Sequence, residues 1–381
     1  MSPAPSATLK RRHEAVRAAC VRSKVDALIV TSRSNILYLT NFSGSSAIAI
    51  VTPESLRFIT DFRYVTAVEG LQQSAEACPD LDLRVVEGTY DTTLAKLLTS
   101  IGLQRVAFEA ANVTVSRYNW LTATLAGTAG APQLVPLDQT VEKIRLRKDE
   151  YELAMLRESA RLLSEVANRV FREVHAGRTE REVARAIDNC ILAAGFERSA
   201  FDTIVASGPN AALPHAHPGE RRLSEHDLVV LDFGGVYRSY CSDLTRTVVL
   251  GPASARAREV HAAVLAAHDS AIQAVAPGRS RFDIDAAARD VLAARGLGDA
   301  FGHGTGHGLG IDIHEDPRVT RRSGDAGAGH DDELVDAGMV FTIEPGAYLP
   351  GWGGVRIEDD VLVTQHGVEV LTSVTTDLLE L

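Results

Sequence analysis

Apolar residues in the first third of the chain come in short, β-branched bursts. VDALIV at 25–30, SAIAIV at 46–51, LRFIT at 56–60 and RVAFE at 105–109 have the length and composition of buried strands. Residues 92–101 carry helical spacing, and the turn-rich run AGTAGAP at 126–132 precedes a change of pattern. Strands alternating with helices predict an α/β domain over residues 1–140.

From Asp149 onward the periodicity lengthens. Tyr151, Leu153, Met155, Leu156, Leu162, Leu163 and Val166 trace an apolar helical face. Thr179 with Glu182 three residues on is a capping box, opening a helix through Val183, Ala186, Ile187 and Ile191 that Gly195 can stop. Residues 253–275 and 281–294 repeat the helical pattern, and strands are predicted at 228–232, 245–250, 339–343 and 355–363. Helical pairs interleaved with hairpin-like strands predict an α+β domain over 141–381, with the small polar run 323–330 as an exposed loop.

Composition narrows the function classes. The 381 residues are 45% hydrophobic and 23% charged, a soluble globular mixture. The net charge of −11 and the absence of a Lys/Arg block argue against binding nucleic acid. No apolar run reaches the ~18–20 residues of a membrane span. The basic start, Lys10-Arg11-Arg12, has no apolar segment behind it, against a secretory signal. Cys20, Cys78, Cys190 and Cys241 are far apart with no C-x-x-C, which predicts free thiols, a reducing compartment and a cytoplasmic protein.

The informative anomaly is acid placed in strands. Strand interiors disfavour carboxylates, because an unpaired buried charge is costly. Yet Asp232 ends the apolar run LVVLD, Asp243 follows eleven residues later, Glu344 ends VFTIE, and Glu358 lies between GVRI and DDVLV. The glycines of Phe233-Gly-Gly-Val-Tyr read as a hairpin turn that brings Asp232 and Asp243 to one side. FGHGTGHGLG at 301–310 has glycine at alternate positions, which lets backbone approach a ligand closely, and His307 is its candidate imidazole. A single strand-end Asp is ordinarily a turn former, and a glycine-rich run can be an anion nest. Four acids and an imidazole together favour hard divalent cations, two rather than one: Mn²⁺, Co²⁺, Fe²⁺ or Zn²⁺. Two such ions lower the pKa of a water held between them.

These motifs, VLDFG at 230–234, SDLTRT at 242–247, GTGHGLG at 304–310, FTIEPG at 341–346 and GVRIED at 354–359, resemble the dinuclear metallopeptidases of the pita-bread fold. The likeness runs from about Val141 to the end, and more loosely over the first domain, which looks like the N-terminal domain of the proline-specific branch (aminopeptidase P and prolidase). The resemblance implies metal ligands Asp232, Asp243, His307, Glu344 and Glu358. Asp243 and Glu358 would bridge the ions, and Glu344 would also carry the proton. It implies His215 and His314 as substrate-binding histidines that stabilise the tetrahedral intermediate, and Arg356 and Tyr348 as supports behind the ligands. His217 and His303 read as neighbours of the functional histidines. Arg318 either clamps a substrate carboxylate or is a surface charge. The stretch 320–332 is longer than in most relatives.

The expected activity is cleavage of Xaa-Pro bonds with release of the N-terminal residue, using two ions, Mn²⁺ foremost with Co²⁺ or Zn²⁺ as alternatives. The substrates would be peptides with proline second. An Xaa-Pro dipeptidase (prolidase) is the alternative. A metal-free binding protein or a creatinase-like amidinohydrolase is a lesser one, since such relatives lose several of the five ligands. By the same resemblance a homodimer or homotetramer is expected.

Overall fold

The computed structural model describes residues 3–322 and 333–381. The run 323–330, expected as an exposed loop, lies outside them. The chain forms two compact units, Met1–Arg145 and Leu146–Leu381. The helix Thr140–Arg145 therefore ends the first unit, where the sequence pattern had put the boundary at 140.

The first unit is built on a six-stranded sheet in the order Leu81–Val85, Leu56–Thr60, Ile48–Val51, Ala27–Val30, Arg105–Glu109, Gln133–Leu137. Ile48–Val51 runs antiparallel to both neighbours, and the remaining pairs are parallel. The sequence pattern missed both edge strands, because Leu81–Val85 and Gln133–Leu137 are mostly half-exposed or exposed and lack a buried apolar run. Pro136, which cannot donate to a ladder, is tolerated because Gln133–Leu137 is an edge. The core between sheet and helices is aliphatic, with Ile29, Ile50, Leu94, Leu98 and Val106 fully or almost fully buried.

The second unit opens with the helix Glu150–Val170, whose Asp149 and Glu152 exchange backbone and side-chain hydrogen bonds in a capping box. Its buried residues are Glu152, Leu156, Ser159, Ala160, Leu163, Ser164, Val166, Ala167 and Val170, while Tyr151, Leu153, Met155 and Leu162 of the expected face are only partly buried. The buried face tolerates Ser159 because its hydroxyl donates to Ser242 Oγ, 2.8 Å away. Thr179 caps Glu180–Ala193 in a second capping box. Ala255–Ala274 and Arg281–Ala294 complete the helices, packed on a second apolar cluster that includes Val264, Ile284, Leu292, Phe341 and Val361.

The long hairpin Leu228–Tyr237 and Tyr240–Val249 forms as expected, but its turn is elsewhere. Arg238 and Ser239, at φ 49° and 70°, make the reversal. Gly234 lies within the strand, where an added Cβ would stand 2.4 Å from Ser242 O. Asp232 and Asp243 therefore lie inside long strands rather than at their ends. Arg198–Ser199 and Ile204–Ser207 extend this sheet. A five-stranded sheet follows the order Glu315–Val319, Gly306–Gly308, Val340–Ile343, Asp359–Thr364, Gly367–Val370. The expected strand 355–363 is in fact two. Gly353–Arg356 pairs with Gly346–Leu349 in a small separate sheet, and Asp359–Thr364 joins the large one, with Glu358 at the break. Among the described residues no helix is long and apolar enough to cross a membrane. The four cysteines are free thiols.

The alternating glycines also have a different role from the expected one. A Cβ on Gly306 would sit 1.8 Å from Thr342 O of the neighbouring strand, so the glycine admits protein backbone rather than a ligand. Gly306→Ala is expected to destabilise the protein by roughly 1–3 kcal/mol, as overpacking does. Gly302→Ala, with nothing within 4 Å of the added carbon, is expected to melt like wild type. Calorimetry of the two variants checks this, and equal melting would refute the packing assignment.

Candidate active site and metal centre

Strand register explains how the acids converge. Thr245 pairs with Asp232, and Asp243 pairs with Gly234. Cross-strand partners share a face, and so do residues two apart, so Asp232, Asp243 and Thr245 all project the same way. Glu358 joins from the break between sheets. Its N–H donates to Thr245 O at 3.1 Å, and its Oε2 accepts from Thr245 Oγ1 at 2.6 Å. Glu344, following Val340–Ile343, is anchored by its N–H on Thr305 O at 2.7 Å. His307 lies in Gly306–Gly308, its N–H on Thr342 Oγ1 at 3.1 Å.

The side chains meet around one cavity of about 240 Å³. Asp232, Asp243, His307, Glu344, Glu358, His215 and His314 all line it, joined by Phe201, Asp202, Ile204, Ala216 and His217. Asp243, His307 and Glu358 offer ligand atoms within 4.8 Å of one another. His307 Nε2 stands 3.8 Å from both Asp243 Oδ2 and Glu344 Oε1. Its Nδ1 faces Gly308 O at 3.1 Å, which assigns the proton to Nδ1 and leaves the Nε2 lone pair toward the acids.

Burial governs the charge states. It pushes Asp243 and Glu358 well above the ordinary carboxylate range, and the neighbouring acids push both further. It raises Glu344 to about 7, against the pull of Arg356. His307 is lowered to about 3 by burial and by the adjacent His314, so it is a neutral donor at physiological pH. The His314 ring, 4.3 Å from that of His307, is also lowered, by burial and then by the charge of Arg318. Arg356 stays charged: burial opposes its charge, but Tyr348, Asp232, Glu344 and Glu358 outweigh it.

Arg356 is the hub behind the acids. It pairs with Asp232 Oδ2 and donates to Thr245 Oγ1 at 3.1 Å, to the Tyr348 hydroxyl at 2.8 Å and to Pro214 O at 3.2 Å. Tyr348 in turn contacts His303 Nε2 at 2.9 Å, which places His303 behind the cavity. His217, expected only as a neighbour of His215, lines the cavity too. Arg318 pairs across strands with His307 but is exposed and outside the cavity wall.

Sequence reasoning overlooked two supports. Thr245 carries the same-face spacing from Asp243 and could have been read from it. Asp360, buried, accepts the Asp243 N–H at 3.0 Å, which only the meeting of two sheets reveals. Phe201, Asp202 and Ile204 gave no signal at all.

The donors fit divalent cations. Asp232 Oδ1 and Asp243 Oδ1 are buried with no hydrogen-bond partner among the described residues, at the wall of a cavity that also presents an imidazole lone pair.

Comparison with known proteins agrees. Residues 154–365 match Metallopeptidase family M24, and residues 12–147 match the Creatinase/Prolidase N-terminal domain. The chain belongs to metallopeptidase family M24. An uncharacterized peptidase of Bacillus subtilis, YqhT, is 36% identical over 348 residues, 91% of this chain and 94% of the relative. The structure of an Xaa-Pro dipeptidase from Bacillus anthracis superposes with a TM-score of 0.90 at 33% identity, covering 98% of this chain and 100% of that one. An X-Pro aminopeptidase from Thermotoga maritima gives 0.85 at 30% identity, with 97% and 99% covered. The M24 unit has the pita-bread fold that the motifs implied.

The raised acids make a linked prediction. A carboxyl whose folded pKa lies above its unfolded value stabilises the protein below the unfolded value and loses that contribution as pH rises through the folded one. For Glu344 the loss falls between the ordinary 4.5 and about 7. Cations bind the ionised form, so the melting-temperature gain on adding Mn²⁺ to chelator-stripped protein should widen from about pH 5 to about pH 8. A gain that is constant across this range would contradict it.

Proposed function

We propose that the chain is a metal-dependent Xaa-Pro peptidase that cleaves the bond before a proline in second position and releases the N-terminal residue. The observation that carries the metal centre is the pair of partnerless buried oxygens on Asp232 and Asp243 among two further acids and a neutral imidazole. The proline preference is supported by relatives described as Xaa-Pro dipeptidase and X-Pro aminopeptidase.

In this reading Asp232, Asp243, His307, Glu344 and Glu358 hold two divalent cations, with Mn²⁺ the first candidate. Such a pair supplies Lewis acidity toward a carbonyl oxygen and a water acidic enough to act as nucleophile near neutral pH. The side chains do the rest. Arg356 orients Asp232 through their ion pair. Glu344, at the cavity wall, would take the proton of the attacking water at a carboxylate oxygen and return it to the departing proline nitrogen, which has no N–H of its own before cleavage. His215 and His314 line the cavity as hydrogen-bond donors for the scissile carbonyl. Phe201, Ile204 and Ala216 give an apolar wall against which an aliphatic ring can exclude water.

A second reading, restriction to Xaa-Pro dipeptides, has Arg318 in its favour. Its charge acts on His314, His307 and Glu344, so a substrate carboxylate at that edge would meet a guanidinium.

Chelator-stripped protein is expected to be inactive and Mn²⁺-restored protein to release the first residue from Xaa-Pro-Ala; equal activity in the two would defeat the proposal. Comparable kcat/KM on Xaa-Pro and Xaa-Pro-Ala supports the aminopeptidase, while strict preference for Xaa-Pro supports the dipeptidase. Arg318→Ala separates the two again. Under the dipeptidase reading KM for Xaa-Pro rises about tenfold or more, the scale of a lost charged hydrogen bond, and under the aminopeptidase reading it stays within about twofold. Glu344→Gln is expected to lower kcat by ~10²–10⁴, the range for a general acid–base group.

A further inference from the structure

We propose that Glu180, which touches neither the acids nor the cavity, is a positioning residue that sets the histidine-bearing wall of the site. The inference deepens the peptidase reading and rests on it for the role of His215. Glu180 begins the helix Glu180–Ala193 and is 1% exposed. A carboxylate in the first turn usually faces solvent and the helix's own amides. This one is turned onto the segment 207–219 instead. Its Oε1 accepts the Ser207 N–H at 2.8 Å and the Ser207 hydroxyl at 2.7 Å, and its Oε2 accepts the Gly219 N–H at 3.1 Å. Asn210 Nδ2 reaches both oxygens, at 3.0 and 3.2 Å.

One carboxylate therefore ties both ends of a loop together. Between those ends the only regular structure is the short 3₁₀ turn Gly208–Ala212, and beyond it His215, Ala216 and His217 line the cavity. His215 is itself exposed, so packing does not fix it. The base is reinforced by Arg221, which donates to Ser207 Oγ at 2.6 Å and pairs with Asp227. The far side is fixed by Arg356, which holds Pro214 O while it holds Asp232. Glu180 thus sets where the loop starts and returns, and Arg356 sets its height over the acids. Loosening the base moves His215 relative to the acids without touching them, and a misplacement of about 1 Å at a reacting centre can cost ~10²-fold.

The test uses the full chain with Glu180→Ala, Glu180→Gln and His215→Ala. Hydrogen exchange should show the Ser207 and Gly219 amides deprotected in Glu180→Ala, with the Asp232 and Asp243 strands unchanged. Elemental analysis should show wild-type divalent metal content. Activity on an Xaa-Pro peptide should fall about 10–100-fold, less in Glu180→Gln, which keeps one acceptor oxygen. In a His215→Ala background the Glu180 substitution should cost little more, because both changes remove the same contact. Unchanged exchange at Ser207 and Gly219, multiplicative effects of the two substitutions, or loss of metal with activity would each overturn the proposal. Should the wild type cleave no Xaa-Pro peptide, the peptidase reading fails, and the exchange measurement still decides whether Glu180 ties the loop.

Discussion

Asp232, Asp243, Glu344 and Glu358 share one largely buried space, and like charges so close in a poorly solvated setting oppose one another's ionisation. The cationic side chain that the described structure buries among them is Arg356, and it is committed to Asp232. His307 adds a lone pair rather than a charge. Four acids that resist ionising together are what a divalent metal centre can use and what an apolar core could not tolerate. They are a local sacrifice of stability of the kind found at functional sites.

That sacrifice is sustained by hydrogen bonds around the acids rather than by contacts between them. Thr245 fixes Glu358, Asp360 fixes the backbone of Asp243, and Arg356 fixes Asp232 together with the loop that carries His215. Each support joins segments far apart in the chain, and the Asp243–Asp360 and Arg356–Asp232 contacts join strands of different sheets. The hairpin edge Tyr240–Val249 meets the large sheet through the Cys241 N–H on Gly310 O, the Asp243 N–H on Asp360 and the bridge from Thr245 to Glu358. The site is therefore a seam. Its geometry depends on how closely the two sheets approach.

Much of this was legible in the chain, and the misreadings are instructive. Carboxylates in apolar strands pointed to the centre, because a buried carboxylate needs a partner or a metal. The capping boxes at Asp149 and Thr179 announced their helices, because side chain and backbone satisfy each other within four residues. The hairpin was expected, but its turn was placed at Gly234 and Gly235, since glycine marks turns and close approaches alike and sequence cannot separate the two. The expected continuous strand 355–363 breaks at Glu358 for a reason no local pattern carries, namely that its two halves belong to different sheets.

Residue types and short-range order were thus determined by the sequence alone: which segments alternate, which helices are capped, and which acids and imidazole stand where burial would otherwise exclude them. Tertiary structure alone decided that Asp360 holds Asp243, that Phe201, Asp202 and His217 join the wall, and that Glu180 closes a loop across a gap of 27 to 39 residues. Local preferences act over a few residues and leave a mark in composition. A hydrogen bond between distant segments depends on how whole sheets and helices pack, and no short stretch of either partner records it.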